Sequence, residues 1–350
     1  MISNCFHKTK RPIVVSGPCS AESREQLFYT IDAIKDYVDA VRVGIWKPRT
    51  NPYSFQGVGE EGLEWISEIK KRHNLKIATE VANAEHIELA LKNGIDILWI
   101  GARSTTNPFL VQEIAEALKG VDTTILIKNP INPDLELWCG AIERVLLAGV
   151  ERVGAIHRGF SYYGKGKYRN MPQWQLPIDL KQRYPAITLL CDPSHLSGDK
   201  QYVTELSQKA MLLGFDGLFI ESHISPETAK SDANQQITPD ELKKLIDNLK
   251  VDYSTSTDSS YSIKLEELRS QIDGIDNALI ELLSQRMEIV KEIGELKKMN
   301  NSSILQRERW GKVLESAIKS GQELGLDSDF VSNLFKLIHE ASIEKQTKDF

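Results

Sequence analysis

Cysteine is scarce: Cys5, Cys19, Cys139 and Cys191 are the four in 350 residues. They are too few and too scattered for a disulfide framework, and they read as reduced thiols. Long apolar runs are missing as well. None reaches the roughly 18 residues that a membrane-spanning helix needs, so no membrane partner is expected. The opening MISNCFHKTKRPIVV holds no apolar stretch of signal-peptide length, and the expected compartment is the cytoplasm. Excess positive charge is also absent. Lys and Arg number 43 against 49 Asp and Glu, net −6, with both signs interspersed, which argues against a nucleic-acid partner. No compact metal motif of the CxxC or HExxH kind occurs. No GxGxxG follows the first apolar run, where GPCSAES stands instead. Residues 1–10 carry no pattern and are expected to be disordered.

What is present has the composition of a folded globular protein, 41% hydrophobic and 26% charged, and the length suits two domains. Residues 1–250 alternate short β-rich runs with amphipathic stretches. Strands are expected at 12–18, 41–48, 75–81, 97–103, 123–129, 152–159, 186–195 and 217–223. Helical patterns follow at 23–38, 60–73, 84–94, 107–120, 134–149, 173–184, 203–214 and 238–249. Gly94, Gly120, Gly149 and Gly214 stand as C-terminal stops. Eight strand–helix pairs with near-continuously apolar strands predict an α/β fold, a (β/α)8 TIM barrel. A doubly wound sheet would carry the glycine-rich fingerprint that is missing here.

Residues 251–262, VDYSTSTDSSYS, read as a linker. Residues 263–350 contain no proline and no strand-like run. Three helices are predicted there, near 263–299, 305–320 and 328–346. The first spans about 50 Å at about 1.5 Å per residue. Three such helices cannot wrap a compact core, so this separate all-α domain is expected to dimerise, as a homodimer or within a higher homo-oligomer.

In a barrel the active site lies at the C-terminal ends of the strands. Here apolar strands end in charge. Arg42, Lys47, Arg49, Arg103, Lys128 and Arg158 form a cationic set. Any one alone is more often a solvated or ion-paired residue. Six at one mouth would repel one another unless an anion balances them, so polyanionic, phosphorylated substrates are expected. Cys19, His195, Glu221 and Asp232 form a second set, a mixed S/N/O donor group able to bind one divalent metal ion. Mn2+, Fe2+, Co2+ and Zn2+ are all compatible with that set.

The segments SGPCS (16–20), RVGIWKPRTNPYSFQG (42–57), ATE (78–80), IGARS (100–104), LIKNP (126–130), HRG (157–159), DPSH (192–195) and IESH with SDANQQ (220–223, 231–236) occur in this order. Together they resemble 3-deoxy-D-arabino-heptulosonate 7-phosphate (DAHP) synthase in its compact form, over about 11–250. The resemblance implies a metal-dependent condensation of phosphoenolpyruvate with erythrose 4-phosphate. It places the metal on Cys19, His195, Glu221 and Asp232. Phosphoenolpyruvate would lie on Arg42, Lys47, Arg103, Lys128 and Arg158, and the aldose phosphate on Arg49 and Thr50. Lys47 stands where it could protonate the developing alkoxide. The neighbouring family, 3-deoxy-octulosonate 8-phosphate synthase, uses a five-carbon aldose phosphate. Cys19 and Lys47–Thr50 favour the four-carbon one.

LEELRSQIDGIDNALIELLSQRMEIVKEIGELKK (265–298), LGLD (324–327), LFKLIHEAS (334–342) and Gln346 resemble the all-helical chorismate mutases. The resemblance implies that Arg269, Arg286, Lys297 and Arg309 clamp the carboxylates of chorismate. Lys297 and Gln346 would serve the breaking ether bond, with no cofactor. Arg269 would serve the partner subunit's site. Trp310 and Gln306 depart from the acidic residues of relatives. The reading is a bifunctional enzyme of aromatic amino acid biosynthesis, with feedback by prephenate through the second domain expected. The alternative is an octulosonate synthase barrel joined to a non-catalytic dimerisation or regulatory module.

Overall fold

The structure is a computed structural model. It describes residues 2–6, 11–47, 51–164, 166–250 and 259–347, with the side chains of 259–263 and 307 excepted. Arg49 and Thr50 of the KPRT run therefore lie outside the described residues. The chain divides into two compact units, 1–253 and 254–350.

In the first unit strands and helices alternate from β1 (Ile13–Gly17), α1 (Arg24–Ile34), β2 (Ala40–Arg42), α2 (Glu60–Arg72), β3 (Ile77–Val81) and α3 (Ala84–Lys92). They continue through β4 (Ile97–Ile100), α4 (Ala102–Thr105), α5 (Pro108–Ala117), β5 (Thr124–Lys128), α6 (Leu135–Leu147) and β6 (Arg152–His157). The set ends with α7 (Gln175–Arg183), β7 (Thr188–Cys191), α8 (Pro193–Ser197), α9 (Val203–Leu212), β8 (Gly217–Glu221) and α10 (Pro239–Asn248). All eight strands pair in parallel and in chain order, and β1 pairs with β8 to close the barrel, Gly17 opposite Glu221. The (β/α)8 expectation holds.

Local chemistry accounts for the element ends. Ser23, Asn83, Asn107 and Asp134 each accept a backbone N–H as helix N-caps, and Thr238 and Glu241 form a reciprocal capping box on α10. Gly94, Gly120, Gly149 and Gly214 take left-handed φ values of 73°, 75°, 93° and 75° just past their helices, where a side chain would be strained.

Two strand boundaries differ from expectation. The ladder at β2 ends with Arg42, so Lys47 stands in the segment that follows rather than in the strand. β7 stops at Cys191, because Asp192 caps a short helix opened by Pro193 and His195 belongs to that helix.

The barrel interior is a layer of Val15, Ala40, Ala78, Trp99, Leu126, Ile156, Leu190 and Phe219. Cys5 and Phe6 join this cluster, 3% and 6% exposed. Ser3 N–H donates to Glu151 O at 2.8 Å, just before β6, so the segment closes the floor of the barrel. The expectation of disorder across 1–10 is corrected for residues 2–6: two apolar side chains seal the open end of an apolar cylinder, where burial outweighs the cost of ordering a short terminus.

The second unit comprises α11 (Ser259–Met299), α12 (Arg307–Glu323) and α13 (Ser328–Thr347). α13 packs against both others. Val290 and Val331 are its buried large apolar residues among those described, whereas Leu268, Ile272, Ile275, Leu279 and Leu282 on α11 are exposed.

Candidate active sites

The barrel mouth opens as a cavity of about 290 Å³ lined by Lys47, Glu80, Arg103, Lys128, Arg158, Arg169, His195 and Asp232 among others. Four of the six predicted cations line it. Arg42 lies beneath. Its guanidinium donates to Glu221 Oε1 at 2.9 Å, is 1% exposed, and sits 4.6 Å over Phe219 and 5.3 Å over Trp99. Lys128 Nζ donates to Asp192 Oδ2 at 2.7 Å. Thus part of the positive charge is balanced by the protein's own carboxylates, which modifies the argument that a substrate anion must do all of it. Burial lowers the Lys128 pKa against the pull of Asp192. Burial also brings Arg158 down to about 10, Asp192 opposing.

Asp192 is the organising residue that sequence reasoning missed. Its Oδ1 accepts His195 N–H at 3.0 Å, and its Oδ2 lies 2.8 Å from His195 Nδ1. Burial works against its charge, yet His195 and Lys128 hold its pKa well below the carboxylate range. Fixing Nδ1 leaves His195 Nε2 as the free ring donor, 3.6 Å from Glu221 Oε1. Cys19 Sγ lies 3.4 Å from Asp232 Oδ2. The four predicted metal residues thus stand as two adjacent donor pairs. Among the described residues they do not close into a metal cluster.

The donor chemistry fits a divalent cation. Burial and then Glu221 push the Cys19 thiol up to about 12. A nearby dication would remove the cost of a thiolate there. Gln235 Nε2 donates to Glu221 Oε2 at 2.7 Å, and Gln236 Oε1 accepts Cys19 N–H at 2.9 Å. These bonds fix the first and third of the four along the chain. Asp232 has φ 47°, a left-handed conformation that Asp tolerates better than most residues.

A strap between β6 and α7 completes the mouth. Asn170 Oδ1 accepts from Arg158 at 2.9 Å, and its Nδ2 donates to His195 O at 2.7 Å. Arg169 Nη1 donates to Gln235 Oε1 at 3.1 Å and pairs with Asp232 at 3.3 Å. Asn170 and Arg169 escaped the sequence reading because they sit in a loop with no periodicity. Asp192 did carry a signal: an Asp-Pro pair is a helix start.

In the helical unit, α13 gathers the predicted residues. Arg286 Nη1 donates to Ser342 Oγ at 2.6 Å, and Lys297 Nζ donates to Gln346 Oε1 at 3.1 Å and Ile304 O at 2.6 Å. A Cβ at Gly294 would crowd Gln346, so glycine permits this approach. Trp310 stacks on His339, centroids 3.9 Å apart and planes within 4°. Burial, then Arg286, lower the His339 pKa. Two predicted residues are not brought to this group. Arg269 is exposed and ion-paired with Glu266 at 2.6 Å on its own helix. Arg309 is exposed and lines a groove between α12 and α13 with Lys312 and Phe335.

A closed barrel with a cation-lined, donor-bearing mouth, followed by an all-helical unit with paired cations, defines a two-domain enzyme. The chain belongs to the DAHP synthetase I family, whose model matches residues 6–256, and the chorismate mutase type II model matches 268–347. It is a bifunctional enzyme of aromatic biosynthesis, a DAHP synthase (transferase) domain followed by a chorismate mutase (isomerase) domain.

A phospho-2-dehydro-3-deoxyheptonate aldolase of Thermotoga maritima is 31% identical over 238 residues, 68% of each chain. A 2-dehydro-3-deoxyphosphooctonate aldolase of Helicobacter pylori is 27% identical over 280 residues, 70% of this chain and 96% of that one. The crystal structure of the Thermotoga maritima DAHP synthase superposes with TM-score 0.61 at 29% identity, covering 67% of each chain. The DAHP synthase family is metal-dependent. No helix among the described residues is long and apolar enough to cross a membrane.

Proposed function

We propose that the barrel condenses phosphoenolpyruvate with erythrose 4-phosphate at one divalent metal ion. The observation that carries this reading is the shared carboxylate: Asp192 Oδ2 meets both Lys128 and His195. An anion-binding cation and a metal donor are thereby fixed side by side. Cys19, His195, Glu221 and Asp232 would hold the ion, Mn2+ being the proposed species and Fe2+, Co2+ or Zn2+ acceptable. When bound, the ion supplies Lewis-acid polarisation of the aldehyde.

The chain's own residues do the rest. Lys128, Arg103 and Arg158 hold the phosphate and carboxylate of phosphoenolpyruvate, with Arg42 beneath them. Arg49 and Thr50 hold the aldose phosphate. C3 of phosphoenolpyruvate attacks the aldehyde carbon, Lys47 hands a proton to the oxygen that becomes the alcohol, water adds at C2, and phosphate leaves with C–O cleavage. Octulosonate relatives make a five-carbon aldose phosphate the competing substrate. Following phosphoenolpyruvate absorbance with chelated, metal-restored protein tests the choice. Metal-dependent loss is expected with erythrose 4-phosphate alone; loss only with arabinose 5-phosphate would transfer the barrel to the octulosonate reaction.

In the helical unit Arg286 and Lys297 would clamp the carboxylates of chorismate. Lys297 and Gln346 would stabilise the ether oxygen as its bond breaks. Positioning and fixed charge suffice, with no cofactor. The exposed stripe Leu268, Ile272, Ile275, Leu279 on α11 supports a homodimer, in which Arg269 would serve the partner subunit's site. Prephenate binding to this domain would slow the synthase. That reading fails if saturating prephenate leaves the synthase rate unchanged. The four free cysteines suit the cytoplasm.

A further inference from the structure

The segment between β2 and α2 carries Lys47, and one contact holds it from outside. Three of its residues, Ile45, Trp46 and Lys47, go three ways. Ile45 is fully buried in the barrel core, and Lys47, 8% exposed, lines the mouth. Trp46 instead lies flat on His86, ring centroids 4.1 Å apart and planes within 6°. Lys47 N–H donates to Gln56 O at 2.9 Å, and Gly59 N–H to Ile45 O at 3.0 Å.

His86 is itself immobilised. It sits in the first turn of α3, where its N–H donates to the Asn83 cap at 2.8 Å and its Nδ1 accepts Ala82 N–H at 3.3 Å. The end of β3 just before it carries Glu80, another lining residue of the mouth. The stack therefore joins two neighbouring strand–helix loops on the outside, while Lys47 and Glu80 face the cavity on the inside. Neither ring touches the cavity.

We propose that His86 is a positioning residue: stacked on Trp46, it holds the backbone of residues 45–47 so that Lys47 stays aimed into the mouth. The inference rests on the reading of Lys47 as the proton donor of the condensation. An aromatic stack of this kind is expected to contribute between about threefold and tenfold in a rate or binding constant, and small displacements of a positioned group are felt directly in catalysis.

The test is steady-state kinetics on the full chain with metal, as a double-mutant cycle. His86→Ala and Trp46→Ala are each expected to lower kcat by about threefold to tenfold, with the KM for phosphoenolpyruvate unchanged. The double variant should be no worse than either single one. His86→Phe, which keeps a flat ring and has no nitrogen, should restore the wild-type value. Wild-type rates in His86→Ala, a raised KM for phosphoenolpyruvate with kcat unchanged, additive losses in the double variant, or a His86→Phe as poor as His86→Ala would each overturn the proposal. A wild-type protein inactive with erythrose 4-phosphate would instead overturn the reading of the barrel on which it rests.

Discussion

The barrel and the helical unit place their apolar residues in opposite ways. Val15, Trp99, Leu126 and Phe219 of the barrel have no exposed surface, whereas Ile272 and Ile275 of α11 are 56% and 61% exposed. Their charges differ in the same sense. The barrel buries Arg42 against Glu221 and Lys128 against Asp192, while Arg269 and its Glu266 partner stand in solvent. A closed sheet removes its own edges and fills its own interior. Three helices led by one of 41 residues leave a stripe for another surface to cover. The lesson is that one unit covers its apolar residues with its own chain, whereas the other leaves a stripe of them on α11 in the open.

The sharpest way to break this comparison is to disable one unit alone. Lys297→Ala should lower the mutase rate by about 10²–10³, the usual cost of losing a fixed charge at a developing oxyanion. The synthase rate of the same preparation should stay the same. A parallel fall in both would mean that the two sites are not chemically separate. Next in size is Asp192→Asn, which weakens the hold on both His195 and Lys128. Metal affinity measured by competition with a chelating dye should drop by about 10–100-fold. Unchanged affinity would remove Asp192 from its organising role.

Ile275→Asp places a charge in the exposed stripe of α11. If the proposed homodimer forms there, sedimentation should show the mass halved, with the melting of the barrel unaltered; an unchanged mass would contradict the proposed contact. The smallest effect concerns His157, wholly buried among Phe160, Trp174 and Phe215. Burial, then Arg158, bring its pKa down to about 3. The folded value lies below the unfolded one, so the unfolded chain takes the proton first as pH falls. Its stabilising contribution is complete above pH about 6.5 and is lost between there and about 3, by up to about 1.4 kcal/mol per pH unit. That is a Tm loss of a few degrees for each pH unit, at roughly 2–4 °C per kcal/mol. His157→Phe should flatten the slope of barrel Tm against pH, and an unchanged slope would contradict the burial argument.

Much of the barrel was legible because parallel buried strands are apolar throughout and therefore announce their ends by charge. Cys19, Lys128, Arg158 and Glu221 were found that way. The residues that were missed act through bonds that no periodicity encodes. Asp192 reaches Lys128 across 64 positions and Asn170 reaches His195 O across 25. Cys5 and Phe6 looked patternless because two residues are too few to show a period, yet the barrel floor buries both. In the helical unit, 3.6-residue periodicity located every helix. The partners of Arg286 and Lys297, Ser342 and Gln346, became neighbours only through the packing of α13 on α11.

The most direct test of two sites with two chemistries is to chelate the metal from one preparation and measure both reactions. The account predicts that condensation of phosphoenolpyruvate with erythrose 4-phosphate stops and returns with added Mn2+, while conversion of chorismate to prephenate proceeds at its original rate. Condensation that survives chelation, or a mutase rate that falls with it, would contradict the account.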